Sequence, residues 1–224
     1  MEERKSISIT SLICVPALIT LGITILRLVG ELEQWPKPWF SAAMGGGFAI
    51  VGISWLPIIF GPFFAWKLAG AGEGPSSIGK AIGFALGGLV VLVLGVVLEG
   101  ATARHLSILT VVAALVLLVA AFIPGIGWRS LGNTLIAYAF AARIPVLVLM
   151  FLAMRANGGN GWKTHYDVVP DTFAHASFAM KFFYTAVLPQ MTWWIGWTVI
   201  VGSILGVVVV AIARRGRQTA PAAV

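Results

Sequence analysis

Residues 133–154 have the sequence NTLIAYAFAARIPVLVLMFLAM, an apolar run long enough to cross a bilayer that contains one charged side chain, Arg143. Arg129 and Arg155 lie at similar distances before and after it, which places Arg143 near the middle of a membrane. A charge at that depth costs several kcal/mol and usually faces a bundle interior or a wet cavity. Pro145 removes a backbone donor and kinks the helix beside the charge. We therefore expect the other helices to shield Arg143 from lipid.

The composition predicts an all-α integral membrane protein. Of the 224 residues, 59% are hydrophobic and 10% are charged, and the mean hydropathy is +0.96. A soluble domain carries about 25% charged residues. We predict a single domain, a bundle of about six transmembrane helices, with spans at residues 7–29, 40–66, 81–98, 106–123, 133–154 and 191–213 and a long outer loop at 155–190.

Glycine and proline distinguish three of these spans. The second span contains three glycines at 45–47 and two prolines, which makes it the most easily broken helix. Small residues at four-residue spacing occur at Gly79, Gly83 and Gly87 of the third span and at Gly202 and Gly206 of the sixth. Such faces allow two helix backbones to approach closely, within the chain or between chains.

The outer loop combines a polar first half with an apolar second half, for which we expect an interfacial helix or a shallow re-entrant segment. The polar half contains residue types that bind divalent metals, namely His165, Asp167, Asp171 and His175. Their spacing matches no established metal motif, and Pro170 interrupts it. We expect neither a metal nor another cofactor, and a metal-dependent enzyme in this loop is the third of three functional hypotheses.

Several other functions are disfavoured by the sequence. The single cysteine, Cys14, excludes an intrachain disulfide, and no acidic residue lies mid-span to support a carboxylate proton path. The lysines lie at span edges, where they cannot form a retinal Schiff base, and the histidines lie in or beside loops, where they do not suit bis-histidine haem. The net charge is +7, but no basic cluster is interleaved with aromatics, so we do not expect a nucleic-acid partner.

Arg143 has two possible roles. It can bind an anion, since guanidinium forms paired, charge-assisted hydrogen bonds with carboxylates and phosphates. Alternatively, it can tie helices together through carbonyls freed at Pro145 or Pro57. Tyr138 is a candidate hydrogen-bonding neighbour on the same helix, although not on the same face. Arg27, near the end of the first span, is expected to snorkel to the interface.

These observations favour a protein without catalytic activity that binds or passes a small anionic or lipid-like ligand near Arg143. The alternative is a structural or accessory subunit that docks partner helices, or a second copy of the chain, through its glycine faces. The lipid bilayer is the expected surrounding, in the plasma or inner membrane of the cell. The triplet Arg214, Arg215 and Arg217 follows the last span, which predicts that both termini are cytoplasmic.

The orientation can be checked with reporter fusions. Reporters placed after residue 218 and within residues 72–77 should be cytoplasmic, because positive charge accumulates on the cytoplasmic side of membrane helices. A reporter within residues 157–160 should lie outside. Opposite results at the first and last of these sites would reverse the predicted orientation.

Overall fold

The computed structural model of the chain describes residues 7–47, 49–102 and 108–219. Within these residues the structure is helical and contains no strand, which confirms the predicted all-α class for this part of the chain. The α-helices are α1 (Ile9–Leu32), α2 (Leu56–Gly70), α3 (Ile78–Thr102), α4 (Ile108–Gly127), α5 (Arg129–Arg155), α6 (Phe178–Phe182), α7 (Leu188–Met191) and α8 (Trp193–Thr219). Short 3-10 turns occur at Met44–Gly46, Ala156–Gly159 and Asp171–Phe173, and a π-helical turn occupies Phe183–Val187.

Five helical stretches are long and apolar enough to cross a membrane. They are Ile9–Leu32, Ile78–Thr102, Ile108–Gly127, Arg129–Gly159 and Phe178–Arg215, with mean hydropathies between 2.2 and 2.7. Their outward faces expose aliphatic side chains such as Val15, Val90 and Ile212, each at least 60% accessible. Exposed aliphatic surface on this scale is expected of helices that contact lipid tails. The structure therefore supports a membrane protein.

The second predicted span, residues 40–66, is not one continuous helix. The helix α2 starts only at Leu56, and its 15 residues cover about 22 Å, less than the roughly 30 Å of a bilayer core. The preceding residues form bends and a 3-10 turn, because Gly45, Gly46 and Gly47 all adopt positive φ angles, a conformation that ends a helix. The prediction of one helical span over residues 40–66 is therefore wrong, and the chain is irregular at the glycines that make this segment the most easily broken.

The apolar half of the outer loop is joined to the last helix. From Phe178 the chain remains helical through the π-helical turn and α7 into α8, with an irregular residue at Thr192 (φ −121°, ψ −73°). Pro189 lies within this stretch, directly after the π-helical turn, and does not end it. The predicted interfacial segment is thus the start of a 38-residue helical stretch. Residues 106 and 107 of the predicted fourth span lie outside the described residues.

Helix α8 packs against α2, α3, α4 and α5. Its contact with α2 depends on glycine, because Gly61 of α2 lies directly against the backbone of Gly202, and Gly206 lies against Ala65. The predicted close-packing face of the last span is therefore used within this chain. The predicted small-residue face of α3 is not packed in this way at Gly83, where a built Cβ atom meets nothing within 4 Å.

The glycine contact can be tested by adding a methyl group. In Gly61→Ala the new Cβ would lie closer than 3.0 Å to backbone atoms of Gly202, which cannot move without separating the helices. Overpacking of this kind costs about 1–3 kcal/mol, so the melting temperature in mild detergent should fall. The matched control, Gly83→Ala, should melt at the parent temperature or slightly above it. Equal melting of the two variants would contradict the tight α2–α8 contact.

Candidate functional site

A cavity of about 560 Å³ lies at one end of the bundle. It is lined by the C-terminal halves of α1 and α5, by the last turn of α3, by the segments that lead into α2 and α8, and by part of the loop 156–177. We refer to this end as the cavity end. Among the lining residues, Met44, Gly45, Gly100 and Thr172 are exposed, and they mark the mouth of the cavity. Thr24, Arg143 and Gln190 are buried and mark its bottom.

Arg143 lies at the bottom of the cavity and is only 3% exposed. One terminal nitrogen donates a long hydrogen bond of 3.4 Å to Oε1 of Gln190. The guanidinium carbon lies 4.5 Å from the centre of the Trp194 ring, a cation–π contact. The Nε–H group is buried and has no hydrogen-bond partner within the described residues. Arg143 therefore retains unused donor capacity beside an open space.

The partners proposed for a structural role of Arg143 are not found around it. Within residues 7–47, 49–102 and 108–219, no backbone carbonyl near Pro57 or Pro145 accepts a hydrogen bond from its guanidinium. In these residues Glu31 forms an ion pair with Arg27 and is hydrogen-bonded to His165, and no ion pair involves Arg143. The charge of Arg143 is therefore balanced by no acidic side chain in the described structure.

Gln190 and Trp194 reach Arg143 because the last helical stretch is irregular at this level. The π-helical turn Phe183–Val187 and the break at Thr192 interrupt the α-helical spacing on both sides of Gln190. Such π-helical turns are frequent at functional sites, since they redirect side chains. The Gln190 amide nitrogen also lies 3.6 Å from the sulfur of Met150, which places this side chain between α5 and α7. Trp194 lies 51 residues after Arg143 in the sequence, and no local pattern linked the two.

Arg27 also lines the cavity, and the expectation that it snorkels to the interface is wrong. It is only 8% exposed, and its Nε donates to Oε1 of Glu31 at 2.9 Å. A terminal nitrogen donates to the carbonyl oxygens of Gly46 at 2.9 Å and Ser41 at 3.3 Å. A side chain at Gly46 would collide with the guanidinium. Arg27 therefore holds the glycine-rich turn over the cavity, and the four-residue spacing from Arg27 to Glu31 was the signal for this pair.

Glu31 also anchors the loop 156–177 to the end of α1. It accepts hydrogen bonds from the backbone N–H of His165 at 2.8 Å and from the ring nitrogen Nδ1 at 2.7 Å. The next residue, Tyr166, donates its hydroxyl to the carbonyl of Thr24 at 3.2 Å. Burial lowers the pKa of the His165 imidazole, and the hydrogen bond to Glu31 offsets part of this effect. His165 is therefore a neutral donor to Glu31.

The four candidate metal ligands of the loop do not form a cluster. His165 is paired with Glu31, and Asp167 accepts hydrogen bonds from Thr164 and Lys163, which stabilise its own turn. Asp171 and His175 are exposed. No group of three or more His, Cys, Asp or Glu side chains able to hold a metal ion occurs in the part of the chain that the structure describes.

Tyr138 lies apart from the cavity. Its hydroxyl is 2.8 Å from Oγ1 of Thr20, and its ring centre lies 5.4 Å from those of Phe60 and Phe64. Five residues along an α-helix correspond to a rotation of about 140°, so Tyr138 and Arg143 occupy different faces of α5. The structure thus places Tyr138 in the core of the bundle and does not bring it to the predicted ligand site.

The environment of His165 predicts a pH dependence of stability. The unfolded chain binds a proton at this imidazole below pH of about 6.5, whereas the folded chain, with its lowered pKa, binds it less. The melting temperature should therefore fall as the pH is lowered from 7.5 through this value. In His165→Gln the fall should be smaller, because the amide can donate to Glu31 without titrating. The control His175→Gln, at an exposed position, should match the parent, and a parent-like fall in His165→Gln would contradict the assignment.

Comparison with protein-family models, with curated proteins and with solved structures finds no match to this chain. What indicates a function is the chemistry of the cavity itself. The cavity combines a buried cation that has a free donor, an adjacent amide and aromatic ring, and walls that carry apolar side chains.

Proposed function

We propose that this protein is a membrane protein without catalytic activity that binds or passes a small anionic or lipid-like ligand in the cavity at Arg143. The observation that carries the proposal is the guanidinium of Arg143, which lines the cavity, makes one long hydrogen bond and has a buried Nε–H group without a partner within the described residues. An anion bound there would supply both the missing acceptor and the missing negative charge.

The energetic argument rests on desolvation. A guanidinium removed from water loses a large hydration energy, which must be recovered from charge and hydrogen-bond partners. One long hydrogen bond to Gln190 and the Trp194 ring recover only part of it. A carboxylate or phosphate oxygen recovers more, because hydrogen bonds between two ionised groups are about twice as strong as neutral ones. A bound anion would thus stabilise the buried charge of Arg143.

The size and lining of the cavity also support a ligand. Small-molecule sites typically measure about 300–1,000 Å³ and combine apolar walls with a few polar groups, and the volume here is about 560 Å³. Apolar side chains on the wall include Ile53, Val146 and Met150, and the charged group lies at the buried end. This arrangement fits a ligand that has a negatively charged group and an apolar part.

We further propose that the protein lies in the plasma or inner membrane as a six-span bundle, in which α2 and the non-helical segment before it together make the second crossing, with both termini in the cytoplasm. The arginines that follow the last apolar run support this orientation. The cavity end would then face outward, because it lies toward the C-terminal ends of α1, α3 and α5. A ligand could enter through the exposed mouth at Met44 and Gly100 from that side of the membrane.

A role as an accessory subunit is the second candidate. Gly202 and Gly206 are used within the chain, but Gly79 and Gly83 are exposed on α3. A built Cβ at Gly83 meets nothing within 4 Å, so the backbone of α3 is accessible to a partner helix there. This candidate does not involve the cavity.

The anion-binding function is tested by melting the purified protein in neutral detergent with a panel of anions: phosphatidylglycerol, inorganic phosphate and octanoate. At least one anion should raise the melting temperature of the parent by several degrees, since a ligand present at 100 times its Kd stabilises the folded state by about 2.7 kcal/mol. No anion should do so in Arg143→Ala. Without added anion this variant should be as stable as the parent or more stable, because the uncompensated charge is removed.

Arg155→Ala provides the matched control, because Arg155 lies on the same helix but is exposed, beside Phe151 and Phe178. It should keep the full response to the anion. The proposal fails if Arg143→Ala melts several degrees lower without any anion and if every anion stabilises parent and variant equally. That pattern would assign Arg143 to helix packing.

A further inference from the structure

We infer that the ligand of the Arg143 cavity is a singly charged amphiphile, an alkyl carboxylate, with its carboxylate on Arg143 and its alkyl chain along the apolar wall toward the mouth. This inference rests on the proposed anion-binding function and specifies the chemical class of the ligand. It is carried by three features of the cavity: the balance of charge, the geometry of the free donors and the position of the apolar wall.

The balance of charge favours a ligand with one negative charge. Among the lining residues that the structure describes, the arginines are Arg27 and Arg143. Arg27 is already paired with Glu31 at 2.9 Å and hydrogen-bonded to loop carbonyls. Glu99 at the end of α3 also lines the cavity, beside the exposed Gly100 and unpaired with Arg143, so a second negative charge on the ligand would find a carboxylate there and no further cation among the described residues. A ligand with two negative charges would therefore keep one of them uncompensated in a partly buried site, which is unfavourable.

The geometry of the donors favours a carboxylate. The guanidinium of Arg143 lines the cavity and holds five N–H donors in one plane, of which one terminal N–H is hydrogen-bonded, to Gln190, within the described residues. Two such parallel donors match the two oxygens of a planar carboxylate. The Trp194 ring occupies one side of the cation at 4.5 Å, and Gln190 accepts only one long hydrogen bond from a terminal nitrogen. A lysine at this position would offer charge without the paired geometry.

The position of the apolar wall accounts for an alkyl chain. Arg143, Val146 and Met150 share one face of α5, and all three line the cavity. Seven residues of α-helix span about 10 Å, so apolar surface extends over that length from the guanidinium toward the cavity end. Ile53 and Phe173 line the same cavity. An inorganic anion would leave this surface in contact with water, whereas an alkyl chain would cover it.

The experiment compares four probes that differ in one property each: octanoate, acetate without the chain, octanol without the charge, and octyl phosphate with two charges at pH 8. Phosphatidylglycerol serves as a fifth probe, because it carries a single charge on a membrane lipid. Binding is measured by calorimetry on the parent, Arg143→Gln and Arg143→Lys in nanodiscs of phosphatidylcholine. Octanoate should bind the parent at least tenfold more tightly than any other probe does. Its affinity for each of the two variants should be at least tenfold lower than for the parent.

Val146→Ala and Val148→Ala test the path of the chain with the same change on one helix. Val146 lines the cavity and is 5% exposed, whereas Val148 is 52% exposed on the outer face of α5. The affinity of octanoate for Val146→Ala should be about fourfold lower for each methylene group that no longer packs against the wall. Its affinity for Val148→Ala should equal that for the parent. This pair, together with Arg143→Lys, keeps the test decisive if Arg143→Gln does not fold. Equal affinity of octanoate for both valine variants would overturn the proposed path.

The outcomes separate the ligand class from the proposed function. If acetate, octyl phosphate or phosphatidylglycerol binds more tightly than octanoate, and does so only when Arg143 is present, the anion site stands and the alkyl carboxylate is overturned. A preference for phosphatidylglycerol would assign the site to a lipid headgroup. If no probe distinguishes the parent from the Arg143 variants, both the inference and the proposed function fail.

Discussion

A charge that is buried among apolar helices must find a compensating partner, and the cavity end of this protein depends on that constraint. Two arginines meet it differently. Arg27 has Glu31 and two loop carbonyls, so its charge is balanced within the chain. Arg143 has one long hydrogen bond to Gln190 and the Trp194 ring. The first arginine therefore belongs to the framework of the cavity, and the second is the position at which a ligand would complete it.

The cavity is lined in part by the segment that leads into the short helix α2. Non-helical backbone is tolerated at membrane depth where it is buried in protein or lines a cavity, and the glycine turn before α2 lines this one. Gly61 lets α2 lie directly against α8, while the residues before α2 line the cavity and reach its mouth at Gly45. The Trp197 ring nitrogen donates to the carbonyl of Ser54 at 3.0 Å and holds this segment in place.

Glu31 connects the two loops that surround the mouth. Through Arg27 it is linked to the glycine turn, and through His165 to the loop 156–177. One carboxylate thus organises two segments that are far apart in the sequence. The groups that shape the cavity are consequently separate from Arg143, the group proposed to bind the ligand, which is why variants at these positions are expected to differ in stability and in binding.

Much of the helical architecture could be predicted from the sequence alone, because hydrophobic runs and glycine spacing are local properties of the chain. They indicated the long apolar helices, the break in the second span, the close-packing Gly202 and the buried Arg143. The partners of Arg143 and Arg27 were decided only by the tertiary structure. Gln190 lies 47 residues from Arg143 in sequence, and His165 lies 134 residues from Glu31. No local pattern encodes such pairs, since they depend on how helices pack and on where an irregular turn directs a side chain.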